Sequence, residues 1–294
     1  MVTFLSHFVN GISLGSVYAI IALGYSMVYG IAKMLNFAHG DVIMIGAYIC
    51  FCGTQYIGLP PVLSILLSMV TCMVLGIVIE GVAYRPLRQA GSLAVLITAI
   101  GVSYLLQNVA LLIWGANPKV FTSVVPFGSI RLFGGELIIT GESIVTVLVG
   151  ILVMVCLTMY INKTKMGKAM RGVSEDKSAA ELMGINVNRT ISLTFAIGSS
   201  LAAIAGVLLC STYPTLMPTT GSMPGIKAFT AAVFGGIGSI PGAMLGGILL
   251  GIIEILGKAY VSTELGDALV FAVLVIVLLV KPAGLLGKPV REKV

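Results

Sequence analysis

Charge is scarce in this chain: Asp, Glu, Lys and Arg make up 10% of its 294 residues, 17 basic against 11 acidic. Soluble domains carry about 25% charged residues, so there is too little here to cover a water-facing surface. The stretches Val42 to Ile79, Gln89 to Pro118, Ser143 to Asn162, Thr190 to Ile226 and Ala228 to Ile253 contain no charge at all. They leave no place for a separate soluble catalytic or nucleic-acid-binding domain, and the net charge of +6 bears on membrane topology instead. Paired CxxC spacing is also missing. Cys50, Cys52, Cys72, Cys156 and Cys210 sit in or beside apolar runs, as small buried hydrophobes do, rather than as zinc ligands or disulfides. There is no HExxH pair and no readable nucleophile–base arrangement. There is no GxxxxGK[ST] phosphate loop either, so any ATP-driven step is expected to rest on another subunit. Met1 to His7 contain no Lys or Arg ahead of the long apolar run, so the first span is expected to stay rather than be cleaved as a leader.

What the chain has in quantity is apolar sequence: 58% of residues are hydrophobic and mean hydropathy is +1.09. Lipid cannot satisfy free backbone N–H and C=O groups, and these runs are too long and unbroken for barrel strands, so the spans should be helices. About 20 apolar residues cross a bilayer core. That predicts an all-α, polytopic integral membrane protein, one transmembrane domain over 1–294. Its spans fall near 8–32, 36–57, 60–84, 92–114, 141–162, 190–212 and 264–281, with a Gly-rich segment at 226–257, about eight or nine crossings in all.

Thirteen of the 17 basic residues gather in Lys33, Arg85 and Arg88, the 163–189 loop and the tail from Lys281, leaving Lys119, Arg131, Lys227 and Lys258 on the other side. The positive-inside rule then places the N-terminus in the periplasm and the C-terminus in the cytoplasm. On that threading 226–257 must begin and end outside, so it is either re-entrant or broken into two crossings near Gly235-Gly236-Ile237-Gly238-Ser239-Ile240-Pro241-Gly242, where Pro and Gly weaken a helix. Interrupted helices in transporters flank the permeating species. Glycines four apart (Gly238, Gly242, Gly246; Gly247, Gly251) equally serve close helix packing.

Two loops carry further signals. In the outer loop 115–140, Ser129 to Phe133 and Glu136 to Thr140 flank Gly134-Gly135 and read as a β-hairpin with a two-residue turn, serving either a partner or mere connection. In the inner loop 163–189, Ser174 is the expected N-cap and Gly184 the stop of a short helix. Its Ala179, Ala180, Leu182 and Met183 would lie in a partner's groove or against the membrane. Asn36, His39, Asp41, Glu80 and Glu254 are polar groups near span ends, expected to reach water or to cap helices.

The segment Leu35-Asn36-Phe37-Ala38-His39-Gly40-Asp41, with Asn10 to Ala19 upstream, resembles the branched-chain amino acid ABC transporter permeases, the smaller permease subunit most closely. Ala83 to Arg88, Met166 to Arg171, Ser174 to Asn186 and Lys227 to Gly247 extend the resemblance over essentially the whole chain. It implies a subunit of the bacterial inner membrane that is not itself an enzyme and binds no cofactor. It would form half of a pathway for leucine, isoleucine or valine. Implied partners are a second homologous permease, two cytoplasmic ATPases that bind ATP, a periplasmic amino-acid-binding protein and membrane lipid, with no nucleic acid. Urea or short-chain amides are the alternative substrates of similar permeases. The family's coupling segment, Glu-Ala-Ala, three residues, then Gly, matches Ser178-Ala179-Ala180 to Gly184 with Ser for Glu, and the Ile-x-Leu-Pro expected after it is absent. The resemblance thus marks Glu175, Asp176, Ala179, Ala180, Glu181 and Gly184 for ATPase coupling. Asn36, Phe37, His39, Gly235, Gly236, Gly238, Pro241 and Gly242 are the pathway candidates, by position and residue type, with no metal or catalytic site expected.

Overall fold

A computed structural model describes residues 2–132 and 135–287. The described residues form eleven α-helices and two small two-stranded sheets, an all-α bundle as expected. Six helices are long and apolar enough to cross a membrane: α1 (Val2–Ala32), α3 (Pro61–Ile79, continuing to Leu87), α4 (Ser92–Trp114), α5 (Gly141–Lys163), α8 (Val187–Thr212) and α10 (Ile240–Tyr260). Three more apolar helices are shorter: α2 (His39–Gln55), α9 (Ser222–Gly235) and α11 (Gly266–Val280). Helices α6 (Lys165–Glu175) and α7 (Lys177–Leu182) occupy the loop after α5.

Local sequence sets the boundaries. Pro61 opens α3, where a missing N–H costs nothing, and Gly115 closes α4 with φ +81°. Thr140, Asn186 and Ser239 cap α5, α8 and α10 by accepting from Ser143, Arg189 and Gly242 N–H groups. The Gly-rich segment is two helices: α9 and α10 pack as a hairpin broken at Gly236–Ser239, inside the predicted interval, with Gly236 and Gly238 at φ +106° and +88°. At about 21 Å, α9 is too short to cross a bilayer alone. It begins at Ser222, so Lys227 lies within a helix rather than in an outer loop.

Small residues decide who packs at the centre. A Cβ on Gly247 would fall 2.4 Å from the Ala19 backbone, and one on Gly251 2.3 Å from Gly15, so one face of α10 lies directly on α1. Its other face, Gly242 and Gly246, meets α9 at Gly235 and Ala231 just as closely. Helix α1 from Gly11 onward and α8 from Thr190 onward are largely buried, while α3, α4 and α5 turn apolar flanks outward.

Two further expectations are corrected. The outer hairpin pairs β2 (Ile130–Leu132) with β3 (Leu137–Ile139) in the register Leu132↔Leu137, so the connection spans four residues rather than two; Phe133 and Gly134 lie outside the described residues. β1 (Lys119–Val120) also pairs with β4 (Thr215–Leu216) ahead of α9. Ser174 is not a cap. Its hydroxyl donates to Arg171 O at the end of α6, and Asp176 caps α7 by accepting from Ser178 N (2.8 Å) and Ala179 N (3.0 Å). The acid immediately before the helix reaches its first-turn amides, whereas Ser174 is spent inside the preceding turn. Lys288, Arg291 and Lys293 lie outside the described residues.

Candidate translocation pathway and coupling surface

The segment between α1 and α2 doubles back into the bundle. His39 packs against Gly24, eight residues before the end of α1 at Ala32, so α2 starts about 12 Å above that end. Asn36, expected near water, is buried; its Oδ1 accepts from Tyr84 OH at 2.9 Å, with Tyr84 in a π-helical turn continuing α3. His39 is buried too, its ring edge-on to Tyr25 at 4.6 Å. Phe37 leans on Phe229 of α9 at 5.4 Å. A cleft bordered by Tyr25, Tyr29, Asn36, Phe229 and Ile237 runs between this segment and the α9–α10 break. It holds about 10 Å³, room for one water at most.

The predicted pathway residues therefore divide. Asn36 borders the cleft, with Phe37 and His39 one aromatic contact away. Of the break, Ile237 reaches it, whereas Gly235 and Gly242 face each other and Gly236 lies under the post-α11 segment. There Leu285 and Leu286 N–H donate to Phe234 O and Gly235 O, both at 2.9 Å. Pro241 sits in the first turn of α10 beyond the break, and Gly238 opposite Gly30 of α1.

Two buried acids were missed as structural centres. Glu80 and Glu254 neither reach water nor cap helices: each is 1% exposed and ion-paired. Glu80 takes Arg88 and Ser192, tying α3 to α8, and Arg88 also bonds Asn188. Glu254 Oε1 takes Lys227 (2.7 Å) and Lys258 (2.5 Å), Oε2 takes Tyr18 OH (2.9 Å), and Lys227 also reaches Asp267 at 2.6 Å. The signal for the second cluster is the i, i+4 spacing of Glu254 and Lys258 in an otherwise uncharged helix. Asp41 differs: it is buried, and its Oδ1 accepts from the Gln107 amide of α4 at 2.9 Å.

At the opposite end of α1 from its N-terminus, α7 projects from the bundle. Ala180 is buried, while Leu182 and Met183 are 89% and 82% exposed. Glu175, Asp176, Ala179, Glu181 and Gly184 are also solvent-facing, Gly184 with φ +80° just past the helix. Lys177 ties α7 to the centre of the fold by donating to Ala32 O, the carbonyl end of α1, at 3.0 Å. Burial, with Arg88 and Lys33 nearby, holds its ammonium pKa below the usual lysine range.

The family model described as branched-chain amino acid transport system permease component matches residues 7–278. The chain belongs to the branched-chain amino acid transport permease family. It is 47% identical to the high-affinity branched-chain amino acid transport system permease protein LivH of Escherichia coli K12, over 99% of this chain and 98% of that one. LivH of Salmonella typhimurium is 46% identical and BraD of Pseudomonas aeruginosa 45%, over the same shares. Among solved structures, PsaBC from Streptococcus pneumoniae in complex with Fab aligns at TM-score 0.50 and 14% identity, covering 93% of this chain and 91% of that one, a likeness of fold alone. A multi-pass membrane permease is thus the setting for both surfaces described above.

Proposed function

We propose that this permease forms one half of the translocation pathway of an ATP-driven importer for leucine, isoleucine and valine. A second homologous permease supplies the other half, two cytoplasmic ATPases bind and hydrolyse ATP, and a periplasmic binding protein delivers the amino acid. The observation that carries this reading is identity of 45–47% along the whole chain to permeases named for branched-chain amino acid transport. Those relatives do not favour the urea or short-amide alternative. The α7 end, with Lys33, Arg85, Arg88 and the basic residues of 163–189, faces the cytoplasm of a bacterial inner membrane, and the hairpin end faces the periplasm.

In this reading Leu182 and Met183 insert into the ATPase, flanked by Glu175, Asp176, Ala179, Ala180, Glu181 and Gly184. Movement of α7 is passed to α1 through Lys177 and the Ala32 carbonyl, so that ATP binding favours one state through differential contacts. The cleft beside Asn36, Phe37 and His39 is the closed inner end of the pathway. The chain conformation at Gly235, Gly236, Gly238, Pro241 and Gly242 opens or shuts it.

Radiolabelled leucine uptake in cells lacking the chain tests both parts. Wild type is expected to restore leucine uptake and not urea uptake. Gly184→Trp, which forces a bulky side chain into the left-handed conformation beside Met183, is expected to reach the membrane and leave uptake at background. Restored urea uptake alone would replace the substrate, and normal uptake by the Trp variant would remove the coupling role.

A further inference from the structure

At the end of the bundle remote from α7, the first half of α1, the start of α5 and the ends of α8 and α10 enclose an open cavity of about 430 Å³. That is within the range of small-molecule sites and far larger than the closed cleft near Asn36. Its walls are mixed. Leu14 and Ile255 supply an apolar side, Ser13 and Thr212 carry hydroxyls, Asn10 is exposed at the rim, and Lys258, bonded to Glu254, also lines the cavity.

Lys258 is the more exposed lysine of the buried ionic cluster. Glu254 Oε1 is shared between Lys227 and Lys258, and Oε2 is held by Tyr18. The Lys227 side chain is 7% exposed and held by Asp267 as well as Glu254, whereas that of Lys258 is 34% exposed and 3.8 Å from Asp267. If Lys258 turns to a ligand, Glu254 keeps one cation and one hydroxyl, so no buried charge is stranded.

We infer that this cavity is a loading site for a zwitterionic amino acid with an apolar side chain, its carboxylate on Lys258 and its side chain against Leu14 and Ile255. Hydroxyl and carbonyl oxygens at the end of α8 accept from the ammonium group. The inference deepens the import reading and rests on it: substrate arrives at this end within a single permease subunit, before it meets the closed cleft.

The test uses the assembled transporter in proteoliposomes, with Asn10→Cys at the rim and labelling by a membrane-impermeant methanethiosulfonate reagent, against the parent protein as background. Leucine is expected to slow labelling of the new cysteine several-fold. Isocaproate, which lacks the ammonium, and leucinol, which lacks the carboxylate, are expected not to. Adding Lys258→Gln is expected to raise the leucine concentration needed for protection by about tenfold or more, and Lys258→Arg to restore it. Labelling unaffected by leucine overturns the inference, as does equal protection by isocaproate, or protection that follows anionic lipid content rather than leucine. Leucine uptake by the same preparations is read in parallel. If uptake is present without protection, the loading site fails alone; if uptake is absent in wild type, the import reading itself fails.

Discussion

Helices α1 and α4 are both uncharged and long enough to span a bilayer, yet 94% of the most apolar stretch of α1 is buried within the chain and only 17% of that of α4. The difference lies in side-chain size. Helix α1 presents Gly11, Gly15, Ala19 and Gly24 to neighbours whose backbones come within van der Waals contact. Helix α4 carries Leu93, Ile97, Ile100, Leu105, Leu112 and Ile113 outward, and nothing lies within 4 Å of where a Gly101 Cβ would sit. In lipid, apolar bulk alone does not draw helices together; close approach and interhelical hydrogen bonds do.

The largest test of this contrast is a pair of leucine substitutions. Gly247→Leu, on the face of α10 against Ala19, is expected to abolish a monodisperse, folded protein on size exclusion in detergent. Gly101→Leu is expected to leave the profile and melting temperature unchanged. Polar ties give a smaller, second contrast. Glu254→Gln weakens the hold on Lys227 behind α1 and is expected to cost about 3–5 kcal/mol in SDS unfolding from mixed micelles. Gln107→Leu, which removes the α4 tie to Asp41, should cost about 1–2 kcal/mol. The smallest contrast is at the helix ends, both left-handed: Lys33 after α1 at φ +58° and Gly115 after α4 at φ +81°. Lys33→Gly is expected to stabilise by up to about 1 kcal/mol and Gly115→Ala to destabilise by about 1 kcal/mol in the same titration.

Much of this fold was legible because hydropathy reports length: α4 and α5 lie within a residue of their predicted spans. The Gly-Pro interval at 235–242 also marked a real break, since Gly236 and Gly238 adopt conformations other residues avoid. What hydropathy does not carry is depth and partnership. Nothing in Lys33 to Ala38 says that it folds back beside Gly24, since that depends on a bond from Tyr84, 48 positions away. Glu80 and Glu254 looked close enough to span ends to meet water, but a lysine or arginine from the same bundle meets each first. For α7, the Gly184 stop was readable and the cap was not, because Ser174 and Asp176 are both good capping residues and only the bend after Glu175 chooses between them.

The amides of Leu285 and Leu286 that bind the last carbonyls of α9 bear on the order of assembly. They follow every described helix in the chain. While the ribosome is still adding α11, the broken hairpin has its glycines in place but Phe234 and Gly235 without these partners. The feature that shapes the middle of the permease is therefore completed last, and a chain terminated before Leu285 would reach the membrane with all its helices and its break unsealed.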